Sequence, residues 1–447
     1  MAGSCIHREA REHRKGEDVA AEHLGIDANR LWTDVMALGA ITDPQRPYTR
    51  RSFSARFIEG RTWLARRFAE AGLAVRTDEA GNLIGRRPGR NPSAPVVAVG
   101  SHSDTVPSGG RFDGIAGVVA GLEIARALED SNAQLDHPIE VIDFLAEEPS
   151  EYGLSCVGSR GMTGMLTKSM FDLTEPGGEC LGDALRRVGG DPNRIEAARR
   201  SDIGAFLELH IEQGPILEAR AIDIGLVTSI VGIRRIEVTF NGSADHAGTA
   251  AMDVRHDALV AAAATVSAVR RKADELAATG RGYFVATVGI LDVEPGASNV
   301  IPGRSRLVID ARTTDPALTS DFIAAIDAES LRYAAEARVE RTGFVTLSDG
   351  PPVACDRSLR EALRQGARAL GFSATDLASG AGHDAAFMAR ICPAAMVFIP
   401  CRGGKSHAPE EWTDRKAIAA GAAVMLHAIR QIDQSLPQRQ KSRQEAV

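Results

Sequence analysis

Residues Ser101 to Gly114 read SHSDTVPSGGRFDG. Before them stands APVVAVG (Ala94 to Gly100), a short apolar run with β-branched residues, the pattern of a buried parallel strand. After them comes IAGVVAGLEIARALED (Ile115 to Asp130), whose apolar residues recur at helical spacing. His102 and Asp113 therefore fall at the carboxyl end of a strand and in the loop before a helix, where open α/β sheets hold their ligands. An imidazole and a carboxylate in a Gly-rich loop without a Lys suit a divalent metal better than a phosphate. Two polar residues on an ordinary βα loop would read the same way, so the rest of the chain has to decide.

A second apolar run, Ile139 to Ala146 within HPIEVIDFLAEE, ends in the paired carboxylates Glu147 and Glu148. Strand, loop ligands, helix, strand and then two acids is a layout for a metal-water hydrolase. One Glu binds the metal, and its neighbour, pointing the other way, takes the proton from the water. Farther on, FLELHIEQG (Phe206 to Gly214) puts His210 at the end of an alternating apolar segment, and GGKSHAPEEW (Gly403 to Trp412) offers His407 in a loop that opens a helix. His102, Asp113, Glu148, His210 and His407 suffice for two metals if Asp113 bridges them. Such pairs lie ~3.5–4 Å apart. All the donors are nitrogen or oxygen, so Zn, Mn, Co or Ni would each fit.

The motifs SHSDTVPSGGRFDG, EE, ELHIEQGP, ADHAGT, SNVIPGR, GAGHDA and GGKSHAPEEW occur in that order. Together they make the chain resemble the N-carbamoyl-L-amino-acid hydrolase, β-ureidopropionase and allantoate amidohydrolase group. That group lies within the metallopeptidase superfamily of aminoacylases and carboxypeptidase G. The resemblance covers roughly residues 25 to 435. It implies a dinuclear metal centre that hydrolyses the ureido C–N bond of an N-carbamoyl-L-amino acid or similar ureido carboxylate, releasing ammonia and CO2. Glu147 would be the general acid–base. His246, in ADHAGT, would stabilise the oxyanion from a lid of the same or a partner subunit.

The remaining substrate contacts implied are less committed. Asn299 in SNVIPGR would bond a substrate carbonyl or carboxylate, unless it is only a turn residue before Pro302. Arg312 in IDART would clamp a carboxylate with its planar fork, or pair with Asp310 or Asp315. Gln213, close to His210, would face substrate. His383 and Asp384 open a predicted helix whose amides favour an anion, although Asp384 can equally be a cap. EEPSEYGLSCVGSR (Glu147 to Arg160) departs from the commoner carbamoylase version toward the plant allantoate type. Ala251 and the pair Ala297-Ser298 also depart from the family pattern, in the lid loops. An aminoacylase or dipeptidase, or a non-catalytic small-molecule binder on the same scaffold, are the competing readings.

The 447 residues allow two or three domains. Lys and Arg number 52 against 59 Asp and Glu, a net charge of −7 that offers no general field to nucleic acid. The six cysteines are scattered without a CxxC pair and read as reduced thiols. No run reaches membrane-spanning length, and the first residues lack an apolar export core, so a cytoplasmic enzyme is expected. Residues 1 to about 20 are expected to be mobile.

Helices are predicted over Asp27 to Gly39 and Phe53 to Leu73, and a hairpin around Ala80-Gly81-Asn82. The region from Lys168 to Ser201 carries turn signals around one short helix. Residues 228–345 change rhythm to β-α-β-β-α-β, the ferredoxin-like split unit. The fold class expected is therefore α/β. A mixed-sheet, dinuclear-metal catalytic domain (1–227 and 346–447) is interrupted by an α+β lid and dimerisation domain (228–345). A homodimer through that lid is expected.

Overall fold

The computed structural model describes residues 25–436. The expectation of mobility for residues 1–20 lies outside them, as does Cys5. The chain divides into two compact units. The described part of the first comprises residues 25–228, 355–377 and 383–436; the second comprises Ser229–Ala354 and Ala378–Gly382.

The first unit opens with helices Ala28–Ala40 and Ala55–Glu70, each started by a side-chain cap. The Asp27 carboxylate accepts from the amides of Asn29 and Arg30, and the Ser54 hydroxyl from that of Phe57. Strands β1 (Ala74–Thr77), β2 (Leu83–Arg87), β3 (Val96–His102), β4 (Ile139–Phe144), β5 (Ile203–Ile211) and β6 (Ile224–Ile230) follow. The second unit supplies β7 (Gly232–Asn241), β8 (Asp245–His246), β9 (Phe284–Glu294), β10 (Val300–Ile301), β11 (Arg304–Thr313), β12 (Glu340–Gly350) and β13 (Val353–Ala354). The chain then returns to the first sheet through β14 (Ala374–Ser379) and β15 (Ala394–Ile399).

The first sheet runs β1-β2-β4-β3-β5-β15-β6, with β14 also on β6. Its centre is parallel: β3 pairs with β4 and β5, and β15 with β5. Its flanks are antiparallel, β1 on β2, β2 on β4 and β6 on β15. Every residue of β3, β4 and β15 is buried, as their unbroken apolar runs require of strands covered on both faces. Helix Ile115–Asp130 is buried along its whole length except the last two residues. Its two charged interior residues are paired: Glu123 with Arg30 at 2.8 Å, and Arg126 with Asp34 at 2.6 Å. The carboxyl ends of β3, β4 and β5 emerge side by side, which is what positions the site.

The second unit has the antiparallel order β12-β7-β11-β9, with helices Ala258–Ala278 and Pro316–Glu336 packed on it. Ile236, Phe240, Ala262, Leu307 and Phe322 belong to a core of its own. The connectivity is the β-α-β-β-α-β split unit. A short ladder, β8 with β10, stands apart from that sheet.

Three local expectations shift. The long helix of the second unit, expected from DVRHDALVAAAATVSAVRRKADELAA to run from Asp253, begins instead at Ala258, because the Asp257 side chain accepts from the Leu259 amide and caps it there. The boundary expected at residue 345 falls inside β12, whose ladder with β7 continues to Gly350. Lys168–Ser201 holds helix Leu181–Arg187, but 3₁₀ turns at Lys168–Asp172 and Pro192–Ala198 flank it. Among the described residues, no helix is long and apolar enough to cross a membrane.

Candidate metal centre

His102 ends β3, and His210 lies one residue before the end of the adjacent β5. Parallel neighbours deliver both imidazoles to the same edge, their rings 5.9 Å apart and 29° from coplanar. Asp113 reaches them from the loop after β3. Its Oδ1 is 3.4 Å from His102 Nε2 and 3.2 Å from His210 Nε2. Its other oxygen, Oδ2, is 3.4 Å from His407 Nε2, which is in turn 3.0 Å from Glu148 Oε1. Two ligand sets result, His102/Asp113/His210 and Asp113/Glu148/His407, each with donor atoms within 4.8 Å of one another. Asp113 belongs to both and addresses each with a different oxygen.

The donor set suits divalent cations. His102 Nδ1 lies 3.1 Å from the Asp104 carbonyl, and His210 Nδ1 lies 2.9 Å from the Ile211 carbonyl. Those bonds fix the ring proton on Nδ1 and leave Nε2 as the electron-pair donor, the arrangement that metal-binding histidines use. The backbone closes in as well. Gly114 has φ 65°, and a Cβ there would come within 2.5 Å of the His102 ring, so only glycine lets the loop turn this tightly against the imidazole.

Glu147 and Glu148 diverge just beyond β4. Their amides donate to the two oxygens of buried Asp104 at 3.2 and 3.3 Å, and Ala146 before them adopts φ 52°. Glu148 turns to His407, while Glu147 Oε2 lies 3.7 Å from His102 Nε2. Burial pushes the Glu147 carboxyl well above its ordinary value; His102 opposes that, and Glu148, Asp384 and Asp104 reinforce it. Burial also disfavours charge on His102, yet Glu147, Asp104 and Asp113 hold its pKa well above the ordinary imidazole value. Hydrogen bonds to Asp113 and Glu148 raise His407 to about 11. Burial likewise opposes a charged Asp113, but His210, His102 and His407 keep it well below the usual carboxylate range. The carboxylates at this edge thus demand positive charge.

The profile of Peptidase family M20/M25/M40 matches residues 98–431. The chain belongs to that family. It is 38% identical over 412 residues to an N-carbamoyl-L-amino acid amidohydrolase of Geobacillus stearothermophilus, covering 92% of this chain and 99% of the relative. It is 35% identical to a ureidoglycolate hydrolase of Arabidopsis thaliana, covering 91% of this chain and 86% of that protein. A crystal structure of a hydantoinase/carbamoylase-family amidase from Burkholderia multivorans superposes with a TM-score of 0.81 at 37% identity, over 91% of this chain and 98% of that one.

The other residues singled out in this M20 chain fall in different settings. Gln213, expected to face substrate, donates from Nε2 to Asp113 Oδ2 at 2.6 Å. His383 is buried with its ring 4.6 Å from that of His210. Burial and the charge on His210 depress its pKa well below the ordinary value. Asp384 begins helix Asp384–Met388 and accepts from the Ser159 hydroxyl at 2.5 Å.

In the second unit, His246 and Asn299 come together on the β8–β10 ladder, where the Ala247 amide donates to the Asn299 carbonyl at 2.9 Å. His246 is exposed, and its Nδ1 accepts from the amides of Gly248 and Thr249, so the ring's donor is Nε2. Arg312 commits Nε to Asp310 at 2.8 Å and Nη1 to the Gly380 carbonyl at 3.1 Å. The Asp310 pairing left open by the sequence is therefore present.

Four residues of the site escaped the sequence reading. Asp104 anchors the Glu147 and Glu148 amides. Glu208, fully buried, accepts from Ser101 at 2.8 Å and from the Ala385 amide at 3.1 Å. Glu411 accepts from the amides of Phe112 and Asp113, and Ser406 lies between Asp113 and Glu411. Glu208 could have been found, because strand alternation puts it on the same face as His210. The other three act through loop hydrogen bonds that no periodicity announces.

Proposed function

We propose that this M20 enzyme hydrolyses the ureido C–N bond of an N-carbamoyl-L-amino acid or a similar ureido carboxylate, yielding the amine, ammonia and CO2. The observation that carries the reading is the shared Asp113, one oxygen toward each ligand set, with Glu147 in neither set but its Oε2 3.7 Å from His102 Nε2. His102 and His210 would hold one divalent cation and Glu148 and His407 the other, with Asp113 between; Zn, Mn, Co and Ni all suit these donors. When bound, the pair supplies an acidified water and polarises the substrate carbonyl. Glu147 takes a proton from the attacking water and returns it to the departing nitrogen. His246 Nε2 and the Asn299 amide bind the developing oxyanion, and Arg312 receives the substrate carboxylate. The second unit serves as the lid, and pairs with its copy in a homodimer.

The carbamoyl substrate class is supported by what the Geobacillus stearothermophilus relative is named for. A second reading, an allantoate- or ureidoglycolate-type hydrolase, is favoured by the EEPSEYGLSCVGSR stretch together with the Arabidopsis thaliana relative. Ammonia release from N-carbamoyl-L-amino acids, N-carbamoyl-β-alanine, allantoate and ureidoglycolate, with and without chelator, separates them. Chelator-sensitive turnover of the first group alone is expected. No ammonia from any of them, together with release of free amino acid from N-acylamino acids, would replace the proposal with an aminoacylase.

A further inference from the structure

The bridging carboxylate is held from one side by residues that none of the chemistry above uses. Glu411 is fully buried, lies four residues beyond His407, and reaches across to the Asp113 loop 298 residues earlier in sequence. Its Oε1 accepts from the amides of Phe112 at 2.8 Å and Asp113 at 3.1 Å. Its Oε2 lies 2.7 Å from the Ser406 hydroxyl, which is 2.7 Å from Asp113 Oδ2. The approach is close enough that a Cβ on Gly110 would stand 1.8 Å from Glu411 Oε1. Glu411 thus ties the loop that carries Asp113 to the loop that carries His407.

The two ligand sets depend on that tie unequally. His102 and His210 are buried strand residues whose ring positions follow from the sheet. His407 sits on an irregular loop with φ 55°, and its side chain is 46% exposed. Little packing holds it, so its alignment with Asp113 Oδ2 and Glu148 has to come from the loop's own anchors. Glu411 is an anchor that touches both sides through backbone amides and Ser406; Gln213 also reaches Asp113 at 2.6 Å and Ser406 at 3.4 Å.

We propose that Glu411, acting with Ser406, is a positioning residue that sets the second ligand set, Asp113/Glu148/His407, and leaves the first largely independent. The proposal rests on the two-cation reading above. A glutamine at 411 preserves the geometry, since its amide oxygen can accept from both amides and its NH2 can donate to Ser406. An alanine removes all of it.

The test is a titration of the full chain, stripped and then reloaded with Zn²⁺ or Co²⁺. Calorimetry and metal content give stoichiometry and affinity, and the Co²⁺ spectrum reports each site's geometry. Wild type should take two ions. Glu411→Ala should keep the first ion's affinity and bind the second about 10–100-fold more weakly, while Glu411→Gln restores it. Ser406→Ala, which keeps the Glu411 contacts to the backbone, should weaken the second ion alone, and decides the matter if Glu411→Ala does not fold. Unchanged binding of both ions in Glu411→Ala, equal weakening of both, or failure of Glu411→Gln to rescue would overturn the positioning role. A wild-type protein that binds a single ion would overturn the two-cation reading instead.

Discussion

Glu147 is the side chain on which turnover should turn. It touches neither Asp113 nor His407 in the geometry described, so its loss should cost chemistry and not binding. Glu147→Gln is expected to lower kcat by about 10²–10⁴-fold while the metal content of the purified protein stays that of wild type. Near-full activity, or loss of metal alongside activity, would remove Glu147 from the acid–base role. The residues that converge here were legible because each stands at the end of an apolar run, where a strand must release the chain. His102, Glu147, Glu148 and His210 are of this kind. Glu411 and Asp104 were not legible, because a buried carboxylate that accepts backbone amides from another loop looks, in sequence, like any charged residue on a turn. Arg312 shows a sequence choice left open: of the substrate clamp and the pairing with Asp310 or Asp315, the Asp310 pairing is present and takes part of the fork.

At the scale of the element, the β1–β2 hairpin illustrates how a turn serves the site. Asp78 is buried and accepts from the amide and side chain of Asn82 at 2.8 and 2.9 Å. Asn82 in turn donates to the Gly158 carbonyl and accepts from the Leu145 amide, just before the turn into Glu147. Burial, partly offset by those Asn82 bonds, pushes the Asp78 carboxyl from 3.8 up to about 6. The unfolded chain therefore releases this proton first. Asp78's contribution to stability is full below about 3.8 and is lost as pH rises through about 6, a change of about 3 kcal/mol. Comparing urea midpoints of wild type and Asp78→Asn at pH 4 and pH 7 isolates the effect. The variant should gain on wild type by up to that amount at the higher pH, and a difference that does not move with pH would refute the assignment. The hairpin itself was readable from Ala80-Gly81-Asn82. Its tie to Leu145 was not, since strand alternation says nothing about which loop a turn asparagine meets. Element ends were set by caps as much as by periodicity: Asp257, rather than the apolar pattern upstream, decides where the long helix of the second unit begins.

Over the whole molecule, both ligand sets belong to the first unit, while the second has a separate core. Removing the cations should therefore act on one unfolding transition and spare the other. In scanning calorimetry, chelation is expected to cost the first unit about 4 kcal/mol for each bound cation, about 8 kcal/mol for two, if cations had been present at a thousandfold excess over Kd. The second transition should stay in place; a single transition displaced as one would argue against independent units. The division into a mixed sheet and a split β-α-β-β-α-β unit was legible because the two regions differ in rhythm, one of continuous buried runs and one of strands alternating with long helices. The exact seam was not, because β12 carries its pairing past residue 345 with no change in composition to mark it.

The pairing of β5 with β15 joins Phe206–Ile211 to Ala394–Ile399 in parallel, with the entire second unit threaded between them. On a ribosome adding 5–20 residues per second, the edge of β5 waits about 10–40 s for its neighbour to be synthesised. The inserted unit has everything it needs to fold during that interval; the sheet of the first unit does not. A nascent chain stalled before residue 394 would carry a finished insert and, in the first unit, an open, apolar strand edge, which makes it a natural client for a chaperone.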